Sequence, residues 1–69
     1  MLSKEQAQAL IEQVVGSPVV LIGNCCSEPG CWEAQTKNAD WAYAARLRNG
    51  RVRVSVYKAN GRDEREVIL

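Results

Sequence analysis

Apolar residues recur at Ala7, Leu10, Ile11, Val14 and Val15, a spacing that places them on one side of a helix. Ser3 stands before this stripe with Gln6 three residues later, the pattern of a capping box. Gly16 then suits the left-handed residue that ends a helix, and Pro18 bars continuation. The pattern predicts a helix over about residues 4 to 15. Beyond it the period changes. Val19 to Gly23 is continuous, β-branched and bounded by turn formers, which predicts a strand buried on both faces or centrally placed. Glu28-Pro29-Gly30-Cys31 carries Pro and Gly where a type II turn prefers them, and a second strand from Cys31 to Thr36 follows. Lys37-Asn38-Ala39-Asp40 is the next polar break.

Two Asn-Gly-Arg triplets, Asn49-Gly50-Arg51 and Asn60-Gly61-Arg62, divide the last third into strand-length pieces. Asn-Gly between alternating apolar residues is a strong hairpin signal. The piece from Trp41 to Arg48 tolerates a helix, but strict alternation of Trp41, Tyr43, Ala45 and Leu47 favours a strand. With Asn49-Gly50 as a two-residue turn, Leu47, Ala45 and Tyr43 face Val52, Val54 and Val56. The same rule at Asn60-Gly61 sets Val54 against Val67 and Val52 against Leu69. A three-residue turn with a bulge would shift either register by one. The predicted fold is α+β, a single domain over residues 1 to 69. One N-terminal helix packs on a four- to five-stranded antiparallel meander, with Trp41 and Tyr43 on the core side.

At 69 residues, 46% of them hydrophobic, the chain has a folding composition but only a small core. A net charge of +1 gives no overall bias toward nucleic acid or anionic membranes. The longest apolar run, Val19 to Ile22, is too short to span a bilayer. No secretory signal is evident, so the expected setting is cytoplasmic.

Three groups could carry function. Cys25, Cys26 and Cys31 cluster near one turn and could present thiolates to a soft metal. The chain has no histidine, so Glu28, Glu33 or a second chain would have to complete a closed zinc site. The alternatives are a short-loop disulfide or small buried hydrophobes. The second group is Arg46, Arg48, Arg51 and Arg53. The preferred register makes Arg46 and Arg53 neighbours on the face opposite the valines, shared with Tyr57, Ala42, Ala44 and Ser55. An acidic protein surface or a phosphate backbone would neutralise them, and a basic sheet face bearing an aromatic can hold single-stranded nucleic acid. Glu64 and Glu66 fall on that same face and offer internal pairing. Third, Trp32 is either a lid on the core or an interface anchor.

Catalysis finds no support. Without histidine there is no Ser-His or Cys-His pair, Glu5 and Glu12 read as solubilising, and no Gly-rich phosphate loop is present. The segment Tyr43 to Leu69, with Tyr-x-x-x-Leu-x-x-Gly, Val-x-Val-x-Val and a second Gly before Val-Ile-Leu, resembles a PepSY-type module. That resemblance implies a helix before an antiparallel meander and an association with binding or inhibiting peptidases. The leading expectation is a non-enzymatic protein-binding module, an inhibitor or modulator of a larger complex, using Arg46, Arg48, Arg51, Arg53, Tyr57 and Trp32. The competing expectations are a cysteine-based metal or redox protein and a single-strand binder. No cofactor is required by the leading reading, no membrane is expected, and an exposed edge strand would admit a homodimer.

Overall fold

The computed structural model describes residues 2–25, 30–38, 40–58 and 60–68. Helix α1 (Lys4–Val15) is followed by strands β1 (Val19–Asn24), β2 (Cys31–Thr36), β3 (Trp41–Arg46), β4 (Arg51–Lys58) and β5 (Gly61–Ile68). The strands form one sheet in the order β1-β2-β3-β4-β5, and each antiparallel pair is consecutive in sequence. This is the α+β meander that the sequence predicts, with five strands.

The helix ends are fixed as expected. The Gln6 amide donates to Ser3 Oγ at 3.1 Å and the Ser3 amide donates to Gln6 Oε1 at 3.0 Å, which completes the capping box. Gly16 adopts φ 75° and its N–H donates to the Glu12 carbonyl, closing the last turn. Glu12 does more than solubilise: its carboxylate accepts the Val19 N–H at 2.8 Å and ties the helix to the start of β1. Lys37 N–H likewise donates to the Pro18 carbonyl at 2.8 Å.

Both hairpin registers differ from the expectation. Leu47 N–H donates to the Arg51 carbonyl at 2.7 Å, and Gly50 N–H donates to the Leu47 carbonyl at 3.1 Å. The reversal therefore uses three residues, 48 to 50, with Gly50 at φ 84°. Asn49 Oδ1 accepts the Arg51 amide at 3.0 Å and supports this turn from its own side chain. The extra residue shifts β3 by one. Ala42 and Ala44 now pair with Val56 and Val54, while Trp41, Tyr43 and Ala45 pair with Tyr57, Ser55 and Arg53. At the second reversal Lys58 pairs with Gly61, so Val52 meets Val67 and Val54 meets Arg65. That is a shift of two, which leaves the two faces of β5 as expected.

The core lies between α1 and one sheet face. Ala7 and Ile11 from the helix, Ala34, Ala42 and Ala44 from β2 and β3, and Val52, Val54 and Val56 from β4 are all buried, with Leu2 beside them. The three sheet alanines let the helix come down closely on β2 and β3, and the valines fill the space alongside. Small residues make this core, not the bulky alternation of Trp41 and Tyr43. β1 is an edge strand, contrary to the expectation of central burial. Its register breaks between Val19 and Leu21, and Val20 and Leu21 are each 60% exposed. A bulge of this kind shields an edge from pairing with another chain.

Candidate functional site

The helix covers one face of the sheet, and the described residues leave the other face open. Side chains from neighbouring strands form rows across that open face. Leu21, Gln35, Trp41, Tyr57 and Arg62 make the first row, one residue from each strand. Gly23, Glu33, Tyr43, Ser55 and Glu64 make the second. Cys31, Ala45, Arg53 and Glu66 follow, and Arg51 beside Ile68 completes the face. Small side chains at Gly23, Ala45 and Ser55 surround larger ones at Trp41, Tyr43 and Tyr57. The relief is a shallow cavity of about 320 Å³ lined by those three aromatics.

Trp41 and Tyr57 are each 42% exposed, which is high for rings of this size. The rings of Tyr43 and Tyr57 meet edge to face, with centroids 5.3 Å apart and planes 88° apart, an arrangement aromatic quadrupoles favour. On the β5 side the Arg62 guanidinium carbon lies 5.9 Å from the Tyr57 centroid. Arg62 Nε also lies 3.4 Å from Glu64 Oε1. The hydrogen bond to Tyr57 and then the Glu64 charge hold the Arg62 guanidinium in its charged form above the ordinary arginine value. Glu33, half-buried opposite Tyr43, has no ion pair among the described residues.

The expected arginine group is divided by the one-residue shift of β3. Arg53 and Arg51 are on the open face, with Arg53 directly opposite Glu66. Arg46 pairs with Val52 and is exposed on the helix side, at the end of the sheet. Arg48 lies in the turn. Arg46 and Arg53 are therefore not cross-strand neighbours, and Ala42 and Ala44 belong to the core and not to the arginine face. Tyr57 is where it was expected. Trp32 packs at the core rim on the helix side, and its Nε1–H donates to the Leu2 carbonyl at 2.9 Å. Trp41 and Tyr43, expected inside, are the residues that the open face gains.

Cys25 and Cys31 face each other where β1 and β2 meet, with the Cys25 N–H donating to the Cys31 carbonyl at 2.9 Å, and Cys31 is a free thiol. Cys26 and the Glu28-Pro29 part of the expected turn lie outside the described residues; Gly30, within them, has φ 80°. Among the described residues no group of three or more Cys, Asp or Glu is arranged to hold a metal. No helix among them is long and apolar enough to cross a membrane. No family model, curated protein or solved structure matches this chain.

Proposed function

We propose that the chain is a non-enzymatic protein-binding module and that the open sheet face is its binding surface. The observation that carries this reading is the group Trp41, Tyr43 and Tyr57, with Trp41 and Tyr57 exposed and Tyr43 half-buried, lining one cavity on an uncovered sheet face. Tryptophan, tyrosine and arginine are the residues that dominate protein interfaces when they sit centrally and are ringed by polar groups. Arg51, Arg53 and Arg62 and Glu33, Glu64 and Glu66 share the open face with the aromatics, three charges of each sign. That balance suits a protein surface of mixed charge better than a uniformly acidic one. A larger assembly, such as the peptidase that the PepSY-type resemblance implies, is one such partner.

A single-strand binding reading gains support from the same aromatics, because three rings on a sheet make a better stacking platform than Tyr57 alone. The three glutamates on that face oppose it by repelling phosphate. The experiment is affinity capture with wild-type protein, a Trp41→Ala/Tyr57→Ala variant and an Arg46→Glu variant, followed by binding of the captured protein after purification. The aromatic variant is expected to lose at least tenfold in affinity, and Arg46→Glu, on the other side of the sheet, to lose less than twofold. Equal loss from both would remove the open face as the site. Tight binding of single-stranded oligonucleotides that collapses between low and moderate salt would replace the protein reading.

A further inference from the structure

The open face holds a more specific signal than apolar exposure. Trp41, Tyr43 and Tyr57 line one cavity, and the two tyrosine rings meet edge to face with planes 88° apart, so the cavity presents aromatic surface in more than one orientation. A flat guanidinium stacks on one ring, whereas rings at right angles fit a rounded cation that touches several at once. The faces of aromatic rings attract cations through their quadrupoles, and the gain is larger for a cation that loses little hydration on entering. An ammonium group with methyl substituents meets both conditions. Tyr57 already takes a cation within this chain, since Arg62 lies 5.9 Å from its centroid on the β5 side. Arg62 is balanced there by Glu64 at 3.4 Å. The carboxylate of Glu33 occupies the next row on β2, opposite Tyr43, and no described residue forms an ion pair with it. The cavity thus has aromatic walls and, in the next row, a carboxylate that no described residue pairs with.

We propose that the Trp41–Tyr43–Tyr57 cavity receives the methylated ammonium group of a lysine side chain carried by the partner protein. This rests on the protein-binding reading and names the chemistry of the anchor. The aromatics make contact with the methyl groups, and Glu33 supplies the charge that separates a cation from an apolar group of equal size. An open cavity on a sheet suits a side chain projecting from a partner surface rather than an enclosed free molecule.

The test is a titration followed by NMR at the indole N–H of Trp41, which is distinguished from that of Trp32 by assignment in Trp41→Ala. The probes are a short peptide bearing trimethyl-lysine, the same peptide with unmodified lysine, the same peptide with a neutral tert-butyl isostere, and free choline. The trimethyl-lysine peptide is expected to bind at least tenfold more tightly than the isostere and at least threefold more tightly than unmodified lysine. Glu33→Gln should reduce that preference over the isostere to less than threefold. Tyr57→Leu should weaken the trimethyl-lysine peptide at least fivefold while leaving the amide spectrum of the helix unchanged. Equal binding of the isostere, no shift with any peptide, or choline binding as tightly as the peptide would overturn the proposal. Should the isostere bind equally while Trp41→Ala/Tyr57→Ala still abolishes partner capture, the cation proposal falls and the protein-binding reading stands. If the aromatic variant captures partners unchanged, both fall.

Discussion

The two faces of this sheet are made from the same strands and differ in almost every physical respect. On the helix side β3 presents Ala42 and Ala44, fully buried, with Arg46 exposed at its end, and the bulk comes from Ile11 and the β4 valines. On the open side the same strand presents Trp41 and Tyr43, and its partners carry charge. A core gains by close approach, so small side chains under a helix are useful there. A surface that binds gains by projecting large rigid rings that lose little rotamer freedom. Hydrophobicity alone ranks the two faces the wrong way round.

Four substitutions would test that contrast, beginning with the largest effect. Ile11→Ala truncates the larger of the two fully buried helix residues and leaves a cavity over the sheet, which should cost about 3 kcal/mol of unfolding free energy in urea. In a domain this small that is a large share of the total. A loss near zero would mean that the helix is not what stabilises the sheet. The next comparison uses two alanines of one strand. Ala42→Leu forces bulk beneath α1 and should cost about 2 kcal/mol by overpacking. Ala45→Leu adds the same atoms to the open face and should change stability by less than about 0.5 kcal/mol in the same titration. Similar losses at both positions would show that the open face is packed like a core. The effect of Trp41→Ala should fall between those of the two alanine substitutions. Despite the size of the indole, its 42% exposure should limit the loss to about 1 kcal/mol, read from the same urea midpoints. A cost matching that of Ile11→Ala would erase the distinction between the faces.

The sequence carried the helix and its caps in local signals, because Ser3, Gln6 and Gly16 act within a turn or two of themselves. Strand positions followed from β-branched runs and turn formers, and β2 and β4 came out where those signals placed them. The faces of β4 were also legible, since Val52, Val54 and Val56 alternate with polar residues. What could not be read was the face of β3. Both of its residue sets are uncharged as far as Ala45, so alternation fixes the period without saying which set is inside. That choice rests on whether the turn after Leu47 holds two residues or three, and Asn-Gly is compatible with either. One residue in one turn therefore decides that Trp41 and Tyr43 lie outside and that Arg46 parts from Arg53. The functional expectation was altered by the same shift. An arginine patch became balanced charge on one face with aromatics, a constellation with no linear motif because its members come from four strands.

The meander has a consequence for how the chain acquires its shape. Every strand pairs with the one next to it in sequence, so no long loop must close before the next contact can form. Folding rates across small domains fall as contacts grow more distant along the chain. Beyond the hairpins, the most extensive far-reaching contacts among the described elements are those of α1, which touches β1 through β4. Hairpins can zip in the order in which they leave the ribosome, and docking of the helix is the step that must span the chain. β5 pairs only with its immediate predecessor and makes little contact with the helix, so it can join last and fray first without reopening the core.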